Sequence, residues 1–467
     1  MQRKRPSRRE FLSGSVTAAA GLAAIANPGR AAAQAVGVKP ADLPNLTIRE
    51  VRVYHTDLGS YHSLNGERGE LVGIVTEGGL EGNYTLGNRN ATPNWLEWAK
   101  PTLVGKNVMD VLPTLCSTSG LRGTYGFNGE PYVPPGQTGP RWNGGQTFHR
   151  APGVGHGSAF DTDALNGSGL MTEAGGSWPN WYAAAADVCL WDILGKVVNQ
   201  PVYKLLSGGC GGTKDKIMAY ASSTHHPAIE DYAPEVVKVK ADGFKGYKIH
   251  PGPGEHRDSK VAIQGYIGHM EIIKQVRAAA GDEFMLAHDP VQQYNRYEAV
   301  KVGRLLDELD YAWFEDPIRT TDEEGLIELA AALDLPLHVG EFLYSISDFA
   351  GYISRGALDV VRLIADNTGG ISGSMRVGLL ADAFGLECTP HNWGNTLDLA
   401  LHFHLELALP NAMWFEMPYP PSLSDHPYFD YKFRPDKDGY VHAPTEPGLG
   451  YPINRAELDK VTKRIDR

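Results

Sequence analysis

The chain has 467 residues, 42% of them hydrophobic and 21% charged, with a formal net charge of −12 at pH 7. That length allows roughly three domains of ordinary size. The composition excludes a disordered chain and a multispanning membrane protein, since no apolar run of about 18 residues occurs beyond the first 35 positions. An acidic balance without a basic stripe excludes a nucleic-acid binder, and stable membrane insertion is not expected. Cys116, Cys189, Cys210 and Cys388 are too scattered for a disulfide scaffold or a zinc site and read as buried thiols.

Residues 1–35 have a basic head, a weakly apolar Ala/Gly-rich middle and small residues at Ala31, Ala32 and Ala33, the make-up of an export signal. Within them Ser7-Arg8-Arg9-Glu10-Phe11-Leu12 is similar to the twin-arginine motif, which marks proteins exported already folded. Recognition by export machinery, cleavage near Ala33 or Ala35 and a periplasmic or secreted location are therefore expected. Loss of residues 1–33 removes six basic residues and Glu10, and moves the net charge from −12 to −17.

From Leu46 to Thr76 apolar and polar residues alternate between glycines, as in paired strands. Residues 93–118 read as helical, with Pro101 and Gly105 as breaks. Residues 120–176 hold 15 glycines in 57 positions, where an average usage of about 7% would give about four. This insertion, with Tyr125, Phe127, Tyr132, Trp142 and Phe148, reads as a lid or substrate-shaping loop, with a structural wrap or oligomer arm and plain disorder as the alternatives. The Ala-rich stretch 178–209 reads as a helix stopped by Gly208-Gly209.

Beyond it, short apolar runs alternate with helical stretches, the pattern of βα units. The runs end at His250, Asp289, Glu315, Glu341, Asp366, His391 and Glu416, at intervals of 26, 26, 25, 25 and 25 residues from Asp289 onward. One βα unit needs about that length, so these polar residues belong at the same end of successive parallel strands, the end at which a barrel carries its chemistry. Asp289, Glu315 and Glu341 would then face one another, and three carboxylates together call for a cation; all-oxygen ligands favour Mg²⁺. Asp366 beside His391 would orient a general base. Lys248 and His250, two apart on one strand, would face the mouth together, Lys248 as a cation toward substrate and His250 as a second proton carrier or a supporting residue. His225, His226, His149, His156, His402 and His404 carry weaker signals.

In this order the residues resemble the enolase superfamily, in its mandelate racemase-like branch that includes acid-sugar dehydratases. DVCLWDILGKVVNQPVYKLLSGG is similar to the segment joining capping domain to barrel, and PTEPGLGYPI to the C-terminal return. The resemblance implies an α/β fold, a modified (β/α)7β TIM barrel under an α+β capping domain. Its segments would be a capping domain over 36–212, the catalytic barrel over 213–417 and the return over 418–467, with loops 57–65 and 84–92 closing the mouth. It implies Mg²⁺ on Asp289, Glu315 and Glu341, the dyad Asp366–His391, Glu416 toward the substrate carboxylate or enolate oxygens, and a homo-oligomer. The branch usually has Lys-x-Lys on the second strand; here it reads Lys248-Ile249-His250, which removes the lysine base opposite His391. The expected activity is removal of the α-proton of a small-molecule carboxylate, with dehydration of a sugar acid first. Racemisation, epimerisation or lactone cycloisomerisation is the alternative, and a non-catalytic sugar-acid-binding protein the third.

Overall fold

Strand β1 (Ile48–Thr56) pairs antiparallel with β2 (Glu70–Thr76), β2 with β3 (Glu81–Leu86), and the C-terminal strand Thr462–Asp466 closes on the free side of β1. The computed structural model describes residues 43–58, 70–86, 92–118, 178–209, 213–252 and 260–467. The leader, the Gly-rich insertion and most of the two expected mouth loops lie outside the described residues. Residues 93–118 form two helices, Thr92–Leu103 and Val108–Thr118, because Gly105 takes φ +80° between them. The expected helix 178–209 is likewise divided. It runs from Trp178 to Val197, Pro201 has no amide proton to continue it, and a short helix Val202–Leu206 follows.

The long helix lies directly on the small sheet: a Cβ at Gly82 would stand 1.9 Å from the carbonyl oxygen of Cys189, so β3 and the helix can approach only through glycine. Asp192 on that helix accepts from the amides of Asn83 at 3.1 Å and Leu449 at 2.9 Å. One carboxylate thus ties sheet, helix and C-terminal return together. Cys189 and Cys388 are buried, reduced thiols, as expected.

Eight parallel strands follow: β4 (Lys216–Ser222), β5 (Gly246–Ile249), β6 (Met285–His288), β7 (Trp313–Glu315), β8 (Leu337–Val339), β9 (Val360–Val361), β10 (Glu387–Cys388) and β11 (Trp414–Pro418). They pair in the order β10-β9-β8-β7-β6-β5-β4-β11, with β12 (Tyr440–His442) added to β4 and the C-terminal strand becoming β13. This is the α/β fold with a curled parallel sheet that the repeat implies. β10 and β11 do not pair; the seam is bridged by the Asn392 side-chain amide, which donates to the Glu416 carbonyl at 3.0 Å. Capping boxes at Asn295/Glu298, Ser345/Asp348 and Asn395/Asp398 start three of the barrel helices sharply after their strands. Inside, Trp313 stacks on His338 with ring centroids 4.6 Å apart. No helix among the described residues is long and apolar enough to cross a membrane.

Candidate active site

The C-terminal strand ends bring together a dense set of charges. Asp289 follows β6 directly, Glu315 ends β7 and Glu341 lies just past β8. All three are buried, and each offers an oxygen within 4.8 Å of the others'. Burial, then Asp316, Asp289 and Glu315, push the Glu341 carboxyl well above the ordinary range. Asp316, wholly buried with neither carboxylate oxygen hydrogen-bonded, is raised in the same way by burial and by Asp289 and Glu315. Three buried carboxylates with oxygens this close, and a fourth without a hydrogen-bond partner beside them, are the donor set and the negative charge that a hard divalent cation satisfies, so the residues fit Mg²⁺.

The backbone around these acids is strained. Asp316 has φ +32°, and Val291 and Gln292, just past Asp289, have φ +49° and +61°. The two turns hold each other, the Gln292 amide donating to the Asp316 carbonyl at 2.7 Å, and the Val291 amide donates to Asp289 Oδ1 at 2.9 Å. A β-branched residue in the left-handed region persists only where its surroundings enforce it, which here fixes the direction of Asp289.

Two buried cations sit behind the acids. The Lys248 ammonium lies 2.5 Å from Glu315, 2.8 Å from Glu416 and 3.2 Å from Asp289. Burial and Arg362 oppose its charge, yet Glu315 and Glu416 hold its pKa well above the ordinary lysine value. Arg362, also wholly buried, donates through Nε to Glu315 at 2.8 Å and through Nη2 to Glu416. His250 places Nε2 2.8 Å from Asp289 Oδ2 and Nδ1 2.7 Å from the Ser223 carbonyl, so both ring nitrogens are engaged. Trp393 meets that ring edge to face at 5.2 Å.

His391 meets the triad from the Glu341 side, with Nε2 3.5 Å from Glu341 Oε2, as His250 does from the Asp289 side. Burial, and then Arg362 and Lys248 against the opposing pull of Glu416, push its pKa well below the usual histidine value.

Three of the expected roles are corrected by this geometry. Asp366 does not orient His391: it lies in the first turn of the helix Ala365–Thr368, past the end of β9, and accepts from the Tyr84 hydroxyl of β3 at 3.1 Å. Its carboxyl, pushed up to about 7 by burial and Asp398, belongs to the seam between the small sheet and the barrel. Lys248 is wholly buried among three carboxylates rather than presented to substrate. Glu416 is wholly buried as well, taken up by Lys248, Arg362 and the Asn392 amide at 2.8 Å. His402 and His404 support backbone, accepting from the amides of Ala365 at 3.2 Å and Tyr203 at 3.0 Å.

Arg362 and Asp316 are the residues that the repeat did not mark. The signal for Arg362 is a charge inside an apolar strand, VVRLI, and for Asp316 a second acid directly after Glu315.

With this geometry established, comparison with known proteins assigns the class. Residues 231–457 match the enolase C-terminal domain-like family. The chain is 31% identical over 274 residues to the arabinonate dehydratase of Saccharolobus solfataricus, covering 58% of this chain and 69% of that enzyme. It is 32% identical over 232 residues to the L-talarate/galactarate dehydratase of Salmonella typhimurium, covering 49% and 54%. The structure of D-glucarate dehydratase from Agrobacterium tumefaciens complexed with magnesium aligns with a TM-score of 0.67 at 25% identity, over 90% of this chain and 100% of that one. The chain belongs to the enolase superfamily and is an enzyme of its lyase and isomerase types.

Proposed function

We propose that the protein is a Mg²⁺-dependent dehydratase of sugar acids, giving 2-keto-3-deoxy acids. The observation that carries the reading is the meeting of the buried triad Asp289, Glu315 and Glu341 with the imidazole of His391, 3.5 Å from Glu341. The dehydratase names of the relatives support it.

Asp289, Glu315 and Glu341 would hold Mg²⁺, which would supply the positive charge that favours a bound carboxylate and a more acidic α-proton. The protein's own groups do the rest. His391, kept neutral by its depressed pKa, accepts the α-proton at Nε2. The resulting imidazolium is a strong acid for the same reason, and it returns that proton to the β-hydroxyl. The hydroxyl leaves as water, and the enol so formed tautomerises to the 2-keto acid. Lys248 and Arg362 offset Glu315 and Glu416 inside the barrel, so a substrate carboxylate approaches a mouth less negative than the acids alone would make it.

His250 has both ring nitrogens committed to Asp289 and Ser223, which favours one base over the two-base exchange that racemisation needs. A panel of sugar acids and uronate-terminated oligosaccharides with Mg²⁺, followed by 2-keto acid formation, tests the reading; His391→Asn should cut turnover by about 10³-fold or more and leave Mg²⁺ binding in place. Residues 1–35 are taken as a twin-arginine leader, which would deliver the folded enzyme beyond the cytoplasmic membrane.

A further inference from the structure

His391 lacks the carboxylate that the repeat assigned to it, since Asp366 turns to Tyr84. A base must still be held within a fraction of an ångström to react, and a misplacement of about 1 Å costs on the order of 10²-fold in rate. What holds His391 is on its backbone. Arg362 Nη1 donates to the carbonyls of Thr389 at 3.0 Å and Pro390 at 2.9 Å, the two residues before His391. The residue after it, Asn392, donates its amide to Glu416 Oε2 at 2.8 Å, and that same oxygen receives Arg362 Nη2. The His391 amide itself donates to the Leu363 carbonyl, next to Arg362, at 2.8 Å. The third arm of the guanidinium, Nε, reaches Glu315 at 2.8 Å.

We propose that Arg362 is the positioning residue of the active site, clamping the chain on both sides of His391 and fixing it relative to Glu315. Its planar fork is the reason an arginine stands there: one side chain reaches two carbonyls and two carboxylates at once, which a lysine ammonium on its flexible stem cannot reproduce. The need is local. β10 has no strand partner on its β11 side; past the Cys388 amide, which donates to the Asn411 carbonyl at 3.1 Å, no ladder of backbone bonds holds residues 389–392 there. Arg362 and Glu416 supply that restraint.

The inference rests on His391 as the base, and the test separates the two. Arg362→Lys keeps the charge and loses the fork. In metal-free protein labelled with ¹³C at histidine Cε1, the resonance absent from His391→Asn identifies His391. It should be single and sharp in the wild type and broadened or split in Arg362→Lys; an unchanged resonance overturns the proposal. In turnover, Arg362→Lys should lower kcat on the order of 10²-fold with KM and Mg²⁺ affinity within about threefold. The double variant Arg362→Lys/His391→Asn should be no slower than His391→Asn, because residues acting as one unit are not additive. Additive losses would mark Arg362 as structural only and also overturn the proposal. If Arg362→Lys does not fold, Glu416→Gln, which weakens the same clamp from its other end, decides by the same resonance. If His391→Asn keeps full turnover, the reading of His391 as base fails, while the resonance still reports whether Arg362 holds the ring.

Discussion

The Nε2 of His391 stands 3.5 Å from Oε2 of Glu341, so the proposed base shares a contact with a triad acid that burial and neighbouring acids push well above the ordinary range. Lys248 is bound to Asp289, Glu315 and Glu416, and its ion pairs do not include Glu341.

Glu341→Gln should therefore have opposite effects with and without metal. It removes one ligand and should abolish most Mg²⁺ affinity, while relieving repulsion in the metal-free state. The wild type at Mg²⁺ about 100-fold above its Kd should gain about 2.7 kcal/mol of stability, and the variant almost none. Thermal unfolding with Mg²⁺ and with chelator measures both; a variant that keeps the full metal-dependent gain would remove Glu341 from the site.

His391→Asn should lower kcat by about 10³-fold or more, within the range of a lost general base. It should also abolish exchange of the α-proton with solvent deuterium. For the wild type, recovered substrate of inverted α-configuration with no 2-keto acid formed would point to racemisation instead.

Asp366→Asn should leave turnover within about threefold, where a true dyad acid would cost about 10²-fold or more. Its effect is on stability against pH. The Asp366 carboxyl has an ordinary pKa of 3.8 and is pushed up to about 7 in the fold by burial and Asp398. The folded state therefore binds this proton more tightly than the unfolded state, and loses stability as pH rises from about 4 through about 7. The asparagine variant escapes that loss: it should match the wild type near pH 4 and melt about 1–3 °C higher at pH 8. A melting difference independent of pH would disprove the assignment.

Lys248→Met leaves Glu315 and Glu416 short of a buried partner and should cost about 3–5 kcal/mol. Denaturant unfolding of the metal-free protein measures it. A loss below about 1 kcal/mol would place Lys248 with exposed ion pairs, contrary to its complete burial.

Expressed with its leader in a host that has twin-arginine export, the protein should be recovered outside the cytoplasm with its N-terminus near residue 34 or 36. Arg8→Lys/Arg9→Lys should retain it in the cytoplasm. Finding residues 1–30 on the exported form would refute the leader.

Spacing alone located seven successive βα units and the three acids, because the length of a βα unit is set by the dimensions of strand, helix and two turns. Asp289, Glu315 and Glu341 lie at or just past their strands, so the period found them. The same period chose Asp366 over Arg362, and there it failed. β9 ends at Val361, so Arg362 faces inward at the strand end while Asp366, four residues on, is already helical and belongs to another surface.

Partnership was beyond the sequence as well. It showed one cation, Lys248, for a mouth full of carboxylates; the structure supplies Arg362 as a second and turns Glu416 from a substrate contact into the anchor between them. The period thus determined the succession of strands and the acid cluster, since both follow from chain geometry, while the class rested on the resemblance of the motifs. Which acid meets which cation, and what holds His391, depend on side chains far apart in sequence, Lys248 meeting both Glu315 and Glu416, and only closing the barrel decides that.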